Sequence, residues 1–135
     1  MSDLMKQARK NPVFNKKLSS SFSKNNRLTK IHKKIKQYLN LESLGYISEQ
    51  SVGKYFVDEL NENKKTIIEI NGDYVHANPK MFSSSDIIKL PNSKYTAAEK
   101  WESDRQKLNA LTSMGYSVIT IWESDDLEEV KKKLI

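Results

Sequence analysis

Two carboxylates stand where a charge is costly, inside short apolar strand-like runs: Asp58 closes KYFV and Glu69 interrupts TIIEI. The polar stretch ELNENKK between them reads as a turn, so the two runs become adjacent antiparallel strands whose acids can share one face. Two oxygen ligands a few ångströms apart would suit Mg²⁺, a hard ion that takes carboxylate, water and phosphate oxygens. The plainer reading of either acid alone is a side chain facing solvent on an exposed sheet face. His76 follows just past the Asn71-Gly72 turn signal and can project back over the strand ends, where an imidazole can accept a proton from an attacking water. A lone histidine is more often structural. Asp104 neighbours Arg105 on an expected helix, where an exposed ion pair is worth under about 1 kcal/mol. If that helix lies over the sheet, Asp104 can instead orient His76.

Several elements must form to bring these four side chains together. In LTKIHKKIKQYL, Leu28, Ile31, Ile35 and Leu39 recur at spacings of three and four, while Lys30, Lys33, Lys34 and Lys36 cover the remainder: an amphipathic helix with a basic exterior. YISEQ, a Ser-Val-Gly break and GKYFVDEL predict a hairpin, and TIIEIN a third, buried strand. Residues 72–95 hold two prolines and a serine cluster without sustained periodicity, which predicts a long loop with at most short helical pieces. Thr96 can cap the helix AAEKWESDRQKLNALTSM, with Ala98, Trp101, Leu108 and Leu111 on one stripe and Gly115 as its stop. The strand YSVITIW follows, and Ser124 can cap a last helix, DDLEEVKKKLI. The order α-β-β-β-α-β-α predicts an α/β fold: a mixed sheet with helices on its faces.

The chain's 135 residues suit one compact domain. The absence of cysteine excludes disulfides, thiolate–zinc sites and thiol nucleophiles. No apolar run approaches the roughly 18 residues of a membrane helix, and MSDLMKQARK lacks a signal-peptide core, so no membrane partner and a cytoplasmic location are expected. Charge is unevenly spread. Residues 1–36 carry eleven basic and one acidic side chain, residues 37–135 twelve basic and sixteen acidic, for a total of +6. This predicts a basic arm over residues 1–27 and a folded domain over 28–135. Lys10, Lys16, Lys17, Lys24 and Arg27 of the arm, with Lys30, Lys33 and Lys34 of the first helix, could hold a polyanion by counterion release without reading its sequence. A solvated tail is the simpler account.

FVDEL, IIEINGDYVHANP and KWESDRQKLNALTSMGYSVITIWESD together resemble the very-short-patch-repair (Vsr)-like branch of the PD-(D/E)XK, restriction-endonuclease-like nucleases. They are especially similar to the small phage homing endonucleases of the EDxHD group, over roughly residues 28–124. The matching positions are Asp58, Glu69 with Gly72, His76, Glu102 with Asp104 and Arg105, and Gly115 with Tyr116, Val118 and Trp122. The resemblance implies Mg²⁺-dependent hydrolysis of DNA phosphodiesters, with Mn²⁺ able to substitute. Asp58 would be the principal metal ligand, Glu69 a second ligand or water positioner, His76 the proton-transfer group and Asp104 its partner, with one metal or two. The chain departs from the pattern at three places. Asn71 replaces the lysine two positions after the second acid, His32 stands where the leading helix should carry Glu, and Val75 replaces a Trp before the histidine. Glu42 and Glu49 are the nearest acids to stand in for that leading Glu. ARKNPVFNKKLSSSFSKNN also resembles the short modular DNA-binding motifs attached to homing nucleases.

These readings converge on a site-specific DNA endonuclease acting on double-stranded DNA, with residues 77–95 as a candidate DNA-facing segment and a homodimer, or two successive nicks, if both strands are cut. A mismatch-nicking repair enzyme, a catalytically silent DNA-binding module and an RNA nuclease are the alternatives. The repair relatives carry a cysteine-built zinc site, which this chain cannot form.

Overall fold

A computed structural model describes residues 28–134. The basic arm, with Lys10, Lys16, Lys17, Lys24 and Arg27, lies outside the described residues. The chain runs through α1 (Lys30–Tyr38), β1 (Ile47–Val52), β2 (Tyr55–Asn61), β3 (Thr66–Asn71), β4 (Ile87–Leu90), β5 (Ser93–Thr96), α2 (Ala97–Ser113), β6 (Ser117–Trp122) and α3 (Leu127–Leu134). β1, β2 and β3 form an antiparallel meander, and α2 carries the chain across so that β6 pairs in parallel with β3, in the order β1-β2-β3-β6. This is the expected mixed sheet.

Local chemistry sets the element ends. The Thr29 hydroxyl accepts from the His32 N–H to cap α1. At the start of α2 the Thr96 side chain accepts from the Glu99 N–H while Glu99 accepts from the Thr96 N–H, a reciprocal capping box. Gly115, at φ +99°, turns the chain out of α2 in a conformation a side chain would oppose. The final helix begins later than expected. Asp126, and not Ser124, caps α3: its carboxylate accepts from the Glu128 N–H and its carbonyl from the Val130 N–H.

Both faces of the sheet are covered. Ile68 and Ile121 pack with Ile35 and Leu39 on the α1 side and Val130 of α3, while Ile67 packs with Leu111 of α2 on the other. Two further expectations need correction. Residues 72–95 are not all loop, because β4 and β5 form a hairpin and Ile88 is buried with Ala77 and Ala97 in a small core of its own. Lys36 is not on the basic exterior, since it turns inward to a carboxylate beneath α1. Lys30, Lys33 and Lys34 are exposed as expected.

Candidate active site

β2 and β3 stay paired through Glu59↔Ile68, Leu60↔Ile67 and Asn61↔Thr66. One step on, at Asp58 and Glu69, the strands fork. Strand amides that lose their ladder partners need other acceptors, and here the two acids provide them. The Asp58 N–H donates to Glu69 Oε2 at 3.1 Å, and the Ile70 N–H donates to Asp58 Oδ2 at 2.7 Å. The structure thus brings Asp58 and Glu69 together across the fork.

Glu69 is tied to α2. Lys107 Nζ donates to Glu69 Oε1 at 2.7 Å and to the Phe56 carbonyl at 2.6 Å. Burial raises the Glu69 pKa and the Asp58 charge adds to it; the bonds from Lys107 and from the Asp58 amide pull the other way without cancelling. The sign follows from linkage: the unfolded chain ionises this carboxyl more readily than the folded one, so its ionisation opposes folding above the folded pKa and has no effect below the unfolded value. Glu69→Gln keeps an acceptor for the Asp58 N–H. Its thermal midpoint in EDTA is expected to equal or exceed that of the unaltered protein at pH 7, with any advantage gone below about pH 4. A midpoint several degrees lower at pH 7 would contradict this.

His76 and Asp104 also meet. His76 Nδ1 lies 2.8 Å from Asp104 Oδ2, and the imidazole stands edge-on to Trp122 with centroids 6.4 Å apart. The loop holding His76 is fastened on both sides: Trp101 Nε1–H donates to the Ala77 carbonyl at 2.7 Å and the Tyr95 hydroxyl to the Val75 carbonyl at 2.6 Å. The β4–β5 hairpin packs beneath it through Ile88. Glu69, His76, Asp104 and Lys107 line one cavity of about 540 Å³ between α2 and the sheet, with Trp101 and Trp122 also in its wall. Asp58 is not in that wall.

Asp58 instead approaches the first helix. One ligand atom each from His32, Glu49 and Asp58 lies within 4.8 Å of the other two. Glu49 sits on β1 between the pairs Ser48↔Glu59 and Gln50↔Val57, at φ +57°, so it breaks the regular ladder opposite Asp58. A pair of hard carboxylates with one imidazole is a donor set that fits a divalent cation. Glu42 is exposed, in the turn after α1, and is not one of this group.

Three participants were missed in the sequence. Glu59, beside Asp58, is fully buried under α1, where it meets His32 Nε2 at 2.6 Å, Lys36 Nζ at 3.0 Å and the Ser48 hydroxyl. Burial pushes its pKa up, but the bonds from His32, Ser48 and Lys36 outweigh that and hold it below the ordinary value. Lys107 and Lys100, whose Nζ lies 3.8 Å from Asp104 Oδ1 in the same cavity, are the others. The half-buried stripe of α2 runs through Ala97, Lys100, Trp101, Asp104, Lys107 and Leu111, while Ala98 and Leu108, expected on it, are exposed. Charged side chains recurring every three or four residues along the stripe that reaches Trp101 and Leu111 were the available signal.

The architecture is a mixed α/β fold, a four-stranded sheet with helices on both faces, consistent with a restriction-endonuclease-like fold. No family model and no curated protein matches the chain. Among solved structures it is similar to one titled "Homing Endonuclease I-Bth0305I Catalytic Domain", with a TM-score of 0.53 and 23% identity, covering 79% of this chain and 91% of that one. At that identity the likeness is one of fold. Among the described residues no helix is long and apolar enough to cross a membrane.

Proposed function

We propose that this protein is a divalent-metal-dependent DNA endonuclease that hydrolyses phosphodiester bonds at specific sites, in the manner of a phage homing endonuclease. The observation that carries the reading is the fork of β2 and β3, where Asp58 and Glu69 meet while Glu69, Lys107 and the His76–Asp104 pair face one cavity. The likeness in fold to a homing endonuclease catalytic domain supports it.

A divalent ion at the fork, Mg²⁺ or Mn²⁺, would neutralise charge developing on the phosphate and acidify a water. The residues supply the rest. The Lys107 ammonium, beside Glu69, offers the positive charge that Asn71 cannot give at the strand position. With its Nδ1 held by Asp104, His76 has Nε2 left for proton transfer, and Asp104 fixes the ring that carries it. The exposed Lys30, Lys33 and Lys34, with Lys10, Lys16, Lys17, Lys24 and Arg27 of the arm, would hold double-stranded DNA through its phosphates. One active site cuts one strand at a time, so a double-strand break takes two nicks or a second copy.

The test is incubation of the full chain with supercoiled plasmid and a randomised duplex library, with Mg²⁺ or Mn²⁺ and with EDTA. Cleavage only with metal is expected, and Asp104→Asn should slow it by about 10- to 100-fold at unchanged DNA affinity. No cleavage of either substrate with either ion overturns the reading.

A further inference from the structure

The first helix supplies an imidazole to the group around Asp58, which changes the kind of ion that the group suits. His32 is only 4% exposed, and its Nε2 lies 2.6 Å from Glu59 Oε2. Glu59 also accepts from Ser48 and Lys36, so as a carboxylate it can only accept from His32 too. On this hydrogen-bond network Nε2 carries a ring proton, so in the neutral imidazole the lone pair stands on Nδ1. A buried carboxylate behind an imidazole is the arrangement that fixes tautomer and ring orientation and raises the basicity of a ligating histidine. Lys36 and Ser48 in turn hold that carboxylate in place.

We propose that His32, Glu49 and Asp58 form a cation site that prefers a first-row transition ion to Mg²⁺. Each brings one ligand atom within 4.8 Å of the others, and they come from three elements: α1, β1 and β2. Carboxylates and water alone suit Mg²⁺, whereas imidazole nitrogen suits Co²⁺, Ni²⁺ and Zn²⁺, ions that also lie above Mn²⁺ in general affinity order. A magnesium site gains little from a nitrogen donor; a cobalt or zinc site gains a ligand. The inference rests on the proposed nuclease only for what the ion would do there, because ion binding is measured without DNA.

The experiment titrates the full chain with Mg²⁺, Mn²⁺, Co²⁺ and Zn²⁺ separately by calorimetry, follows the Co²⁺ d–d absorption, and records histidine ring nitrogen resonances during the Zn²⁺ titration. Co²⁺ and Zn²⁺ are expected to bind at least about 100-fold more tightly than Mg²⁺, with the His32 ring nitrogens shifting as Zn²⁺ is added. His32→Gln should cut the preference for Co²⁺ over Mg²⁺ to under about tenfold. Glu49→Gln, which alters none of His32, Lys36, Ser48 and Glu59, should weaken Co²⁺ by about tenfold or more, so the proposal stays open to test even if the His32 variant does not fold. Equal affinity for Mg²⁺ and Co²⁺, unmoved His32 resonances, or Co²⁺ binding unchanged in Glu49→Gln would overturn the site. If the ions bind as expected and DNA stays intact, the nuclease reading is lost and the metal site stands.

Discussion

Asp58→Asn is expected to give a folded protein that cleaves duplex DNA at least about 10³-fold more slowly, the several kcal/mol that a metal ion contributes to such a reaction. The substitution is chosen for its geometry. Asp58 Oδ2 accepts the Ile70 N–H at the fork, and Asn can still offer an oxygen there, whereas Ala would leave a part-buried amide without its partner and blur lost chemistry with lost structure. Single-turnover cleavage, DNA affinity by anisotropy and thermal melting separate the outcomes. Slow cleavage with unchanged affinity and melting supports a metal-holding role for Asp58. Cleavage within about tenfold of the unaltered protein removes Asp58 from the chemistry.

Lys36→Met is expected to lower folding stability by about 3 kcal/mol or more, although Lys36 lies in a helix whose other lysines are exposed. The reason is Glu59. Its carboxylate is fully buried and keeps its charge through Lys36, His32 and Ser48, so removal of the ammonium leaves a buried anion under-compensated. Lys34→Met, on the exposed face of the same helix, should change stability by no more than about 0.5 kcal/mol and serves as the comparison. The pH dependence carries its own sign. Because the folded pKa of Glu59 lies below the unfolded one, its contribution is complete above the ordinary glutamate range and fades as pH falls through the folded value. Chemical denaturation at pH 7 and again near pH 3 should therefore show the penalty of Lys36→Met shrinking in acid. An equal penalty at both values would remove Glu59 from the explanation.

The strands that carry Asp58 and Glu69 were legible because β-branched runs broken by a single acid have few other readings, and the long helix because a cap and a stop bracket it. The β4–β5 hairpin was not, since two four-residue strands separated by Pro91 and Asn92 carry too little alternation to stand out from a loop. Lys36 shows the limit of helical periodicity. The angle of a residue around the helix says which way its stem leaves, not whether a buried acid waits beneath, and Glu59 carries no signal of its own beside an Asp58 that fits the motif. The inward side of α2 is hard to read for a related reason: apolar spacing points to Ala98 and Leu108, whereas the sequence places Lys, Asp and Lys among the apolar residues there. The pairing of His76 with Asp104 is legible because a helix laid over the sheet brings them within reach. Their contact then depended on Trp101 and Tyr95 fastening the loop, which no spacing rule reports.

The inward stripe of α2 shapes the molecule's energetics as well as its chemistry. Ala97 and Leu111 are wholly buried near the two ends of the helix, while Lys100, Asp104 and Lys107 occupy the middle with side chains a quarter to a third exposed. The helix is therefore moored at its ends like a footbridge, with an open hollow under its span. Sealing that hollow with leucines would give a sturdier protein and, on the proposed function, close the space a phosphate would enter, a trade of activity for stability.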